Sequence, residues 1–160
     1  MRVTIAAVGR MKKGPDQALV ERYLGRLEKV GGQVGLDFRG TREIVESRLQ
    51  TVAERRKEEA AKLAAGLDAD CVRIVFDERG DSLSSEEFAS FVGDLRDAGR
   101  RDACFIIGGP DGHDPDFAAT AERRLSFGRM TFPHQIARLM LAEQLYRAAT
   151  ILSGHPYHRA

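Results

Sequence analysis

The sequence has 160 residues, of which 42% are hydrophobic and 31% are charged, and its formal net charge is +1. These values fit one compact domain over residues 1–160 and exclude a disordered chain, and no apolar run approaches the ~20 residues of a membrane-spanning helix. Because the N-terminus also lacks the apolar core and cleavage site of a signal peptide, we expect a cytoplasmic protein with no membrane partner.

The first half of the chain predicts two strands and two helices. Residues 2–8 alternate like a strand, and residues 14–30 carry apolar side chains at helical spacing. Residues 33–38 predict a second, weaker strand. A long amphipathic helix is predicted over residues 41–67, with Thr41 as its N-cap. Its cationic and anionic side chains are intermixed, which favours a solvated surface over an RNA-binding patch.

The second half continues the alternation of strands and helices. The predicted elements are a buried strand at 71–77, a helix at 84–99, a buried strand at 103–109, a short helix at 114–125, a short strand or extended loop at 126–132 and a last helix at 134–152. Ser84 and Glu87 form a capping-box pattern at the start of their helix. The whole pattern predicts an α/β fold, a parallel sheet covered by helices on both faces.

The last predicted helix carries apolar side chains around nearly its whole circumference, which is typical of a helix buried on more than one side. One side can face the sheet and the other a second subunit, so we expect a two-fold homodimer. Arg138, Glu143 and Arg147 would then lie near or inside the interface. Because buried charges are costly unless they are paired, these three residues are expected to have a structural or catalytic role.

Arginine is concentrated at the end of the chain. Residues 123–160 contain six arginines and one acidic residue, for a net charge of +5. This excess is compatible with a polyanionic partner such as RNA and equally with ordinary surface arginines.

Two segments that follow predicted strands are candidates for ligand binding, because ligands of open parallel sheets bind at the carboxyl ends of the strands. They are FDERGDSLS, residues 76–84, and IIGGPDGHD, residues 106–114. The glycines at 108, 109 and 112 let the backbone approach a ligand closely, although a tight turn alone would explain two of them. Neither a G-x-G-x-x-G nor a G-x-x-x-x-G-K-[ST] motif is present, which disfavours a classical dinucleotide or nucleoside-triphosphate site.

No combination of histidines and cysteines has the spacing of a metal site, so no metal is expected. Cys71 and Cys104 each lie in an apolar run and are interpreted as buried, reduced thiols. His155 and His158 form H-x-x-H without a nearby Cys or acidic ligand, whereas a metal needs three or four ligands. His113 is expected to be a solvated loop residue.

Four segments, in this order, resemble one known family: AVGRMKKG, FDERGDSLSSEEFA, FIIGGPDGH and LSFGRMTFPHQIARLMLAEQLYRAATILSGHPYHR. They are similar to the bacterial large-subunit ribosomal RNA pseudouridine N3-methyltransferases, small members of the SPOUT superfamily. The resemblance runs from residue 1 to residue 160 and is most specific after residue 103. It implies a SPOUT-type α/β fold with a C-terminal trefoil knot, which ordinary topology rules disfavour. It also implies S-adenosylmethionine as the cofactor and a homodimeric enzyme.

By this resemblance, the cofactor pocket has three walls. Phe76 would contact the adenosine end, and Gly108, with Gly109 beside it, would occupy a place where a side chain obstructs the ligand. The third wall would be the run Phe127, Gly128, Arg129, Met130, Thr131 and Phe132. An aromatic, glycine-containing run is compatible with a mostly apolar pocket that has few polar anchors.

The resemblance further implies methylation of N3 of a pseudouridine in 23S ribosomal RNA, pseudouridine 1915 of helix 69, on the 70S ribosome. N3 carries a proton, so a base or a cation beside the uracil must assist its loss. His158 is the candidate base, and Arg159 the candidate cation for a phosphate or the anionic uracil. Glu143, Tyr146 and Arg147 share one face of the last helix and either contact the substrate or pair to hold the tail or the partner subunit.

Two alternatives remain open at this point. One is a SPOUT enzyme that acts on another RNA, such as transfer RNA, and the other is a non-catalytic ribosome- or RNA-binding module. The short chain has no appended RNA-binding domain, which favours a large folded substrate such as the assembled ribosome or its subunits.

Overall fold

The fold is a five-stranded parallel sheet in a computed structural model that describes residues 1–158. The strands are β1 (Arg2–Val8), β2 (Asp37–Ile44), β3 (Val72–Ser82), β4 (Asp102–Ile107) and β5 (Arg123–Ser126). Their spatial order is β2-β1-β4-β3-β5, and every adjacent pair is parallel. The helices are α1 (Pro15–Gly31), α2 (Val52–Ala64), α3 (Ser85–Asp97), α4 (Pro115–Ala119) and α5 (His134–Ser153).

Helices cover both faces of the sheet, as the sequence predicts. On β1, Ile5 belongs to the core cluster that contains residues of α1, α3 and α5, whereas Val8 belongs to the cluster that contains residues of α2 and α4. The side chains of a strand alternate between the faces, so this division follows directly from an apolar run. The predicted α/β class is therefore confirmed. Among residues 1–158, no helix is both long enough and apolar enough to span a bilayer.

The predicted boundary between the second strand and the second helix is wrong. A 3₁₀ turn occupies Gly32–Val34, and β2 begins only at Asp37, so Thr41 lies inside a strand that pairs with β1. The helix begins after Thr51, whose hydroxyl accepts the Glu54 N–H while the Glu54 carboxylate accepts the Thr51 N–H. This capping box marks where the helix begins. The polar, alternating sequence of β2 hides where the strand ends.

The region after β4 also differs from the prediction. Helix α4 ends at Ala119 rather than extending to residue 125, and residues 123–126 form β5 instead of helix. Leu125 explains the change, because it is buried at the sheet edge and pairs with both Phe76 and Asp81 of β3. The intervening part of β3 bulges around it, and a Cβ at Gly80 would lie 2.4 Å from the Leu125 carbonyl carbon. The trefoil knot itself stays a prediction.

Arg138 fastens α5 to the carboxyl ends of two strands. Its side chain is only 3% exposed, and its guanidinium donates to the carbonyl oxygens of Val8, at 2.9 Å, and Gly9. Its other terminal nitrogen lies 2.5 Å from a carboxylate oxygen of Glu43. The charge of Arg138 is thus buried and paired within one chain, and its position near a subunit interface stays a prediction.

Replacing Arg138 by Met should lower the free energy of unfolding by about 3 kcal/mol, because it removes a buried ion pair and leaves two strand-end carbonyls without their donor. Equilibrium urea denaturation measures this loss. Arg2→Met breaks the exposed Arg2–Asp102 pair instead and should leave the urea midpoint nearly unchanged. Equal effects of the two substitutions would contradict the role given to Arg138.

Candidate active site

Two hollows lie beside the carboxyl ends of β3 and β5 and share one aromatic wall. The larger is a cleft of about 980 Å³, and the smaller is a hollow of about 490 Å³. Their shared wall is the stacked pair of Phe76 and Phe127, whose ring centroids are 4.6 Å apart with planes inclined by 17°. Phe76 ends the regular part of β3 and Phe127 follows β5, so strand pairing positions both rings.

Most of the residues predicted to bind a cofactor border the larger cleft. They are Phe76, Gly108, Gly109, Phe127, Gly128, Met130, Thr131 and Phe132. Three segments that are distant in the sequence thus converge at one place. Arg129 is the exception, because it is exposed and does not line the cleft.

The two adjacent glycines of the cleft have no room for a side chain. A Cβ at Gly108 would lie 3.0 Å from Nε2 of His113, and a Cβ at Gly109 would lie 2.9 Å from a methyl carbon of Val8. Packing within the protein therefore already disfavours a side chain at both positions, whatever ligand the cleft holds. The resemblance implies that a ligand requires glycine here, whereas packing against His113 and Val8 already disfavours a side chain.

Gly128 lies between the two hollows and has a backbone that other residues rarely adopt. Its φ is +130°, and a Cβ there would meet no atom within 4 Å, so the backbone angle and not crowding selects glycine. The Ser126 hydroxyl accepts the Gly128 N–H at 3.1 Å and donates to the Gly128 carbonyl at 2.9 Å. These bonds fix the first turn of the segment that carries the third wall.

His113 is a structural part of the cleft that the sequence analysis missed. It is buried rather than solvated, and its Nε2–H donates to the Phe76 carbonyl at 3.1 Å. Burial lowers the pKa of His113, so the ring is neutral and can hold this hydrogen bond at neutral pH. The adjacent Asp111 is fixed by Arg55, at 2.6 Å. Nothing in the polar, glycine-rich run around His113 signals its burial.

The smaller hollow is bordered by a carboxylate that organises the C-terminal tail. Glu143 lines the hollow, and one of its oxygens accepts hydrogen bonds from Arg147 Nε and from the Tyr157 hydroxyl, each at 3.0 Å. The Tyr146 ring packs 4.7 Å from the Tyr157 ring, centroid to centroid. Burial, more than any other cause, raises the pKa of Tyr157, so its hydroxyl remains a donor. Glu143 and Arg147 thus form an ion pair, and their contact with a substrate stays a prediction.

Both ring nitrogens of His158 are engaged in this arrangement. Nε2 lies 2.7 Å from a carboxylate oxygen of Glu86 in α3, and Nδ1 lies 3.2 Å from an Arg147 guanidinium nitrogen. Arg147 can only donate, so Nδ1 is the acceptor and Nε2–H is the donor to Glu86. Ser84 first, and His158 after it, lower the pKa of Glu86 by hydrogen bonding. Neither nitrogen of His158 is free to accept a proton from a substrate while these contacts last.

The remaining predictions concern Arg159, the cysteines and metal ions. Arg159 lies outside the residues that the structure describes. Cys71 and Cys104 are free thiols, as predicted, but only Cys104 is buried, whereas Cys71 is partly exposed. Within residues 1–158, no group of three His, Cys, Asp or Glu side chains is placed to hold a metal ion.

Comparison with known proteins gives matches along the whole described chain. A family model described as "Predicted SPOUT methyltransferase" matches residues 1–158. Proteins named "Ribosomal RNA large subunit methyltransferase H" from Brucella anthropi, Allorhizobium ampelinum and Mesorhizobium japonicum are 54%, 53% and 52% identical to this chain. Each similarity covers 100% of both proteins.

Replacing His113 by Gln should reduce the decrease in unfolding free energy that occurs as the pH falls below neutral. An unfolded histidine is protonated below about pH 6.5, whereas folded His113 takes up its proton only at lower pH. The unfolded state therefore binds more protons in this window, and the folded state loses up to about 1.4 kcal/mol per pH unit as the pH falls through it. Gln keeps an N–H donor without this titration.

Urea denaturation at pH 7.5 and pH 5.5 checks this expectation. The loss of unfolding free energy between the two pH values should be smaller in His113→Gln than in the wild type. A larger or equal loss in the variant would show that His113 is not held neutral by the fold.

Proposed function

The chain belongs to the SPOUT methyltransferase family, and on this premise we propose that it transfers a methyl group from S-adenosylmethionine to N3 of a pseudouridine in 23S ribosomal RNA, pseudouridine 1915 of helix 69. The observation that carries the proposal is the cleft at the carboxyl ends of the strands. Phe76, the glycine pair at 108 and 109, and the segment 127–132 converge there. The names of the similar proteins support ribosomal RNA as the substrate class.

The residues of the larger cleft fit S-adenosylmethionine. Its volume, about 980 Å³, is within the range of small-molecule sites. Phe76, Ile107 and Phe132 give apolar surface for a flat base, and Gly108 and Gly109 line the same cleft without side chains that would fill it. Asp77 and Glu78 also border the cleft and would attract the positive charges at the other end of the cofactor. When bound, the cofactor supplies a methyl group on a positively charged sulfur.

The protein's own contribution to the reaction would be to position the base and to assist the loss of the N3 proton. A cation beside the uracil carbonyls stabilises the negative charge that the loss leaves, and Arg147 and Arg159 are the candidate cations. His158 is the candidate base, but its two nitrogens are engaged by Glu86 and Arg147. We therefore expect the tail to leave these contacts when RNA binds, which exposes one nitrogen of His158 to the substrate.

A homodimer and an assembled ribosomal substrate complete the proposal. Leu139 and Met140 of α5 and Tyr23 of α1 line the smaller hollow and remain partly exposed, so one apolar face of the chain is available to a second copy. Tyr146, Glu143 and the tail lie against the same group of helices. The small chain would recognise the 70S ribosome through its dimer surface, which implies a cytoplasmic enzyme.

Radiolabelled S-adenosylmethionine given to 70S ribosomes, isolated subunits and naked 23S RNA tests the proposed reaction. Mass-spectrometric mapping of the modified nucleotide should find one methyl group on N3 of pseudouridine 1915, with most transfer on 70S ribosomes. Label on transfer RNA or on another ribosomal position would contradict the proposed target. Failure of the folded protein to bind the cofactor in calorimetry would instead favour a non-catalytic RNA-binding protein.

Deleting residues 155–160 should separate transfer from cofactor binding. The deletion removes Tyr157, His158 and Arg159 but no residue of the larger cleft. We expect at least about a hundredfold slower single-turnover methylation, which is the scale of a lost proton-transfer group, with unchanged affinity for S-adenosylmethionine. Calorimetry and light scattering serve as controls for the pocket and the subunit mass. A parallel loss of cofactor affinity would show that the tail is part of the pocket.

A further inference from the structure

The loop between β1 and α1, residues 9–14, presents three cations that the proposed reaction does not use. Arg10, Lys12 and Lys13 are all exposed. None of the ion pairs among residues 1–158 includes any of the three. Elsewhere on the surface arginines are commonly neutralised by a nearby carboxylate, as in the pairs of Arg2 with Asp102 and Arg39 with Asp37.

The backbone of this basic loop is fixed although its charged side chains are free. The Gly9 N–H donates to the Ile44 carbonyl at 2.8 Å, and the Gly9 carbonyl accepts from Arg138. The Met11 N–H donates to Glu43 at 2.9 Å. The same carboxylate oxygen is paired with Arg138, so Glu43 anchors the loop without neutralising its cations. The backbone on both sides of Arg10 is thus held in place, and Lys12 and Lys13 follow directly after it.

The basic loop lies beside the entrance to the proposed cofactor cleft. Arg138, which binds the Gly9 carbonyl, follows directly after Ala137, and His134 and Ala137 line the cleft. A second carboxylate beside Glu43, that of Glu46, approaches the loop at Gly9 and faces His134 at 3.8 Å. An extended polyanion with one unit in the active site is therefore within reach of the loop.

We propose that Arg10, Lys12 and Lys13 bind the phosphates of the RNA strand next to the nucleotide that is methylated. The inference rests on the proposed function, since it names the surface by which that substrate is held. A row of exposed, unpaired cations is suited to binding phosphates. Phosphate contacts require positive charge on a side chain long enough to reach the backbone, and they do not require a shaped pocket. The loop has no exposed large apolar side chain, which disfavours a membrane surface.

The test compares two variants that remove the same charge. The loop variant is Arg10→Gln, Lys12→Gln and Lys13→Gln, and the control variant is Lys29→Gln, Arg100→Gln and Arg101→Gln. The control residues are exposed and lie at the end of α1 and just before β4, near the amino ends of the strands, whereas the loop follows the carboxyl end of β1. Binding to naked 23S RNA and to 70S ribosomes is measured over a series of KCl concentrations, with calorimetry of S-adenosylmethionine alongside.

The loop variant should bind both RNA substrates more weakly and with a shallower dependence of log affinity on log KCl concentration. Each lost phosphate contact changes that slope by about 0.7 to 0.9, so the loss of three contacts should change it by about 2 to 3. The control variant should keep the wild-type slope, and all three proteins should bind the cofactor equally. Equal slopes for the loop and control variants would overturn the proposal, as would weaker binding by the loop variant that is confined to 70S ribosomes.

Failure of the proposed function would give a different experimental result from failure of the proposed role of the loop. A wild-type protein that neither binds S-adenosylmethionine nor transfers methyl groups would refute the reaction, while the salt dependence of RNA binding would still decide the role of the loop.

Discussion

The ion pair between Arg138 and Glu43 is the constraint on which the candidate site depends. It draws the first turns of α5 to the carboxyl ends of β1 and β2, because the same guanidinium also binds the Val8 and Gly9 carbonyls. The chain leaves β5 at the far edge of the sheet, so segment 127–133 must cross the ends of β3 and β4 to reach α5. That crossing segment is the third wall of the cleft.

The stacked rings of Phe76 and Phe127 divide the site into two regions with different chemistry. On one side is a cleft of mostly backbone and apolar surface, which suits a bound cofactor. On the other side is the smaller hollow, whose Glu143 holds Arg147 and the C-terminal tail. His113 helps to hold Phe76 in this wall, since its ring nitrogen donates a hydrogen bond to the Phe76 carbonyl.

Sequence patterns predict several elements correctly. The wrong predictions lie where pairing with strands that are distant in the sequence decides the local structure. The continuous apolar runs of β1 and β4 and the capping box of α3 predict their elements almost to the residue. Thr41 has the sequence of a helix start, but pairing of β2 with β1 places it in a strand. Leu125 continues a helical pattern, but pairing with β3 selects a strand. The burial of His113 and the partner of Arg138 depend on contacts across 37 and 95 residues of sequence, which local patterns do not contain.

Amide hydrogen exchange with and without S-adenosylmethionine tests the central claim, the assignment of the cofactor to the larger cleft, most directly. Protection should appear in residues 107–113 and 126–133, which form the walls of that cleft, and should be small in residues 155–158. Protection that is concentrated in the tail and around Glu143, with unchanged exchange at 107–113, would contradict the account, because it would place the cofactor on the other side of the Phe76–Phe127 wall.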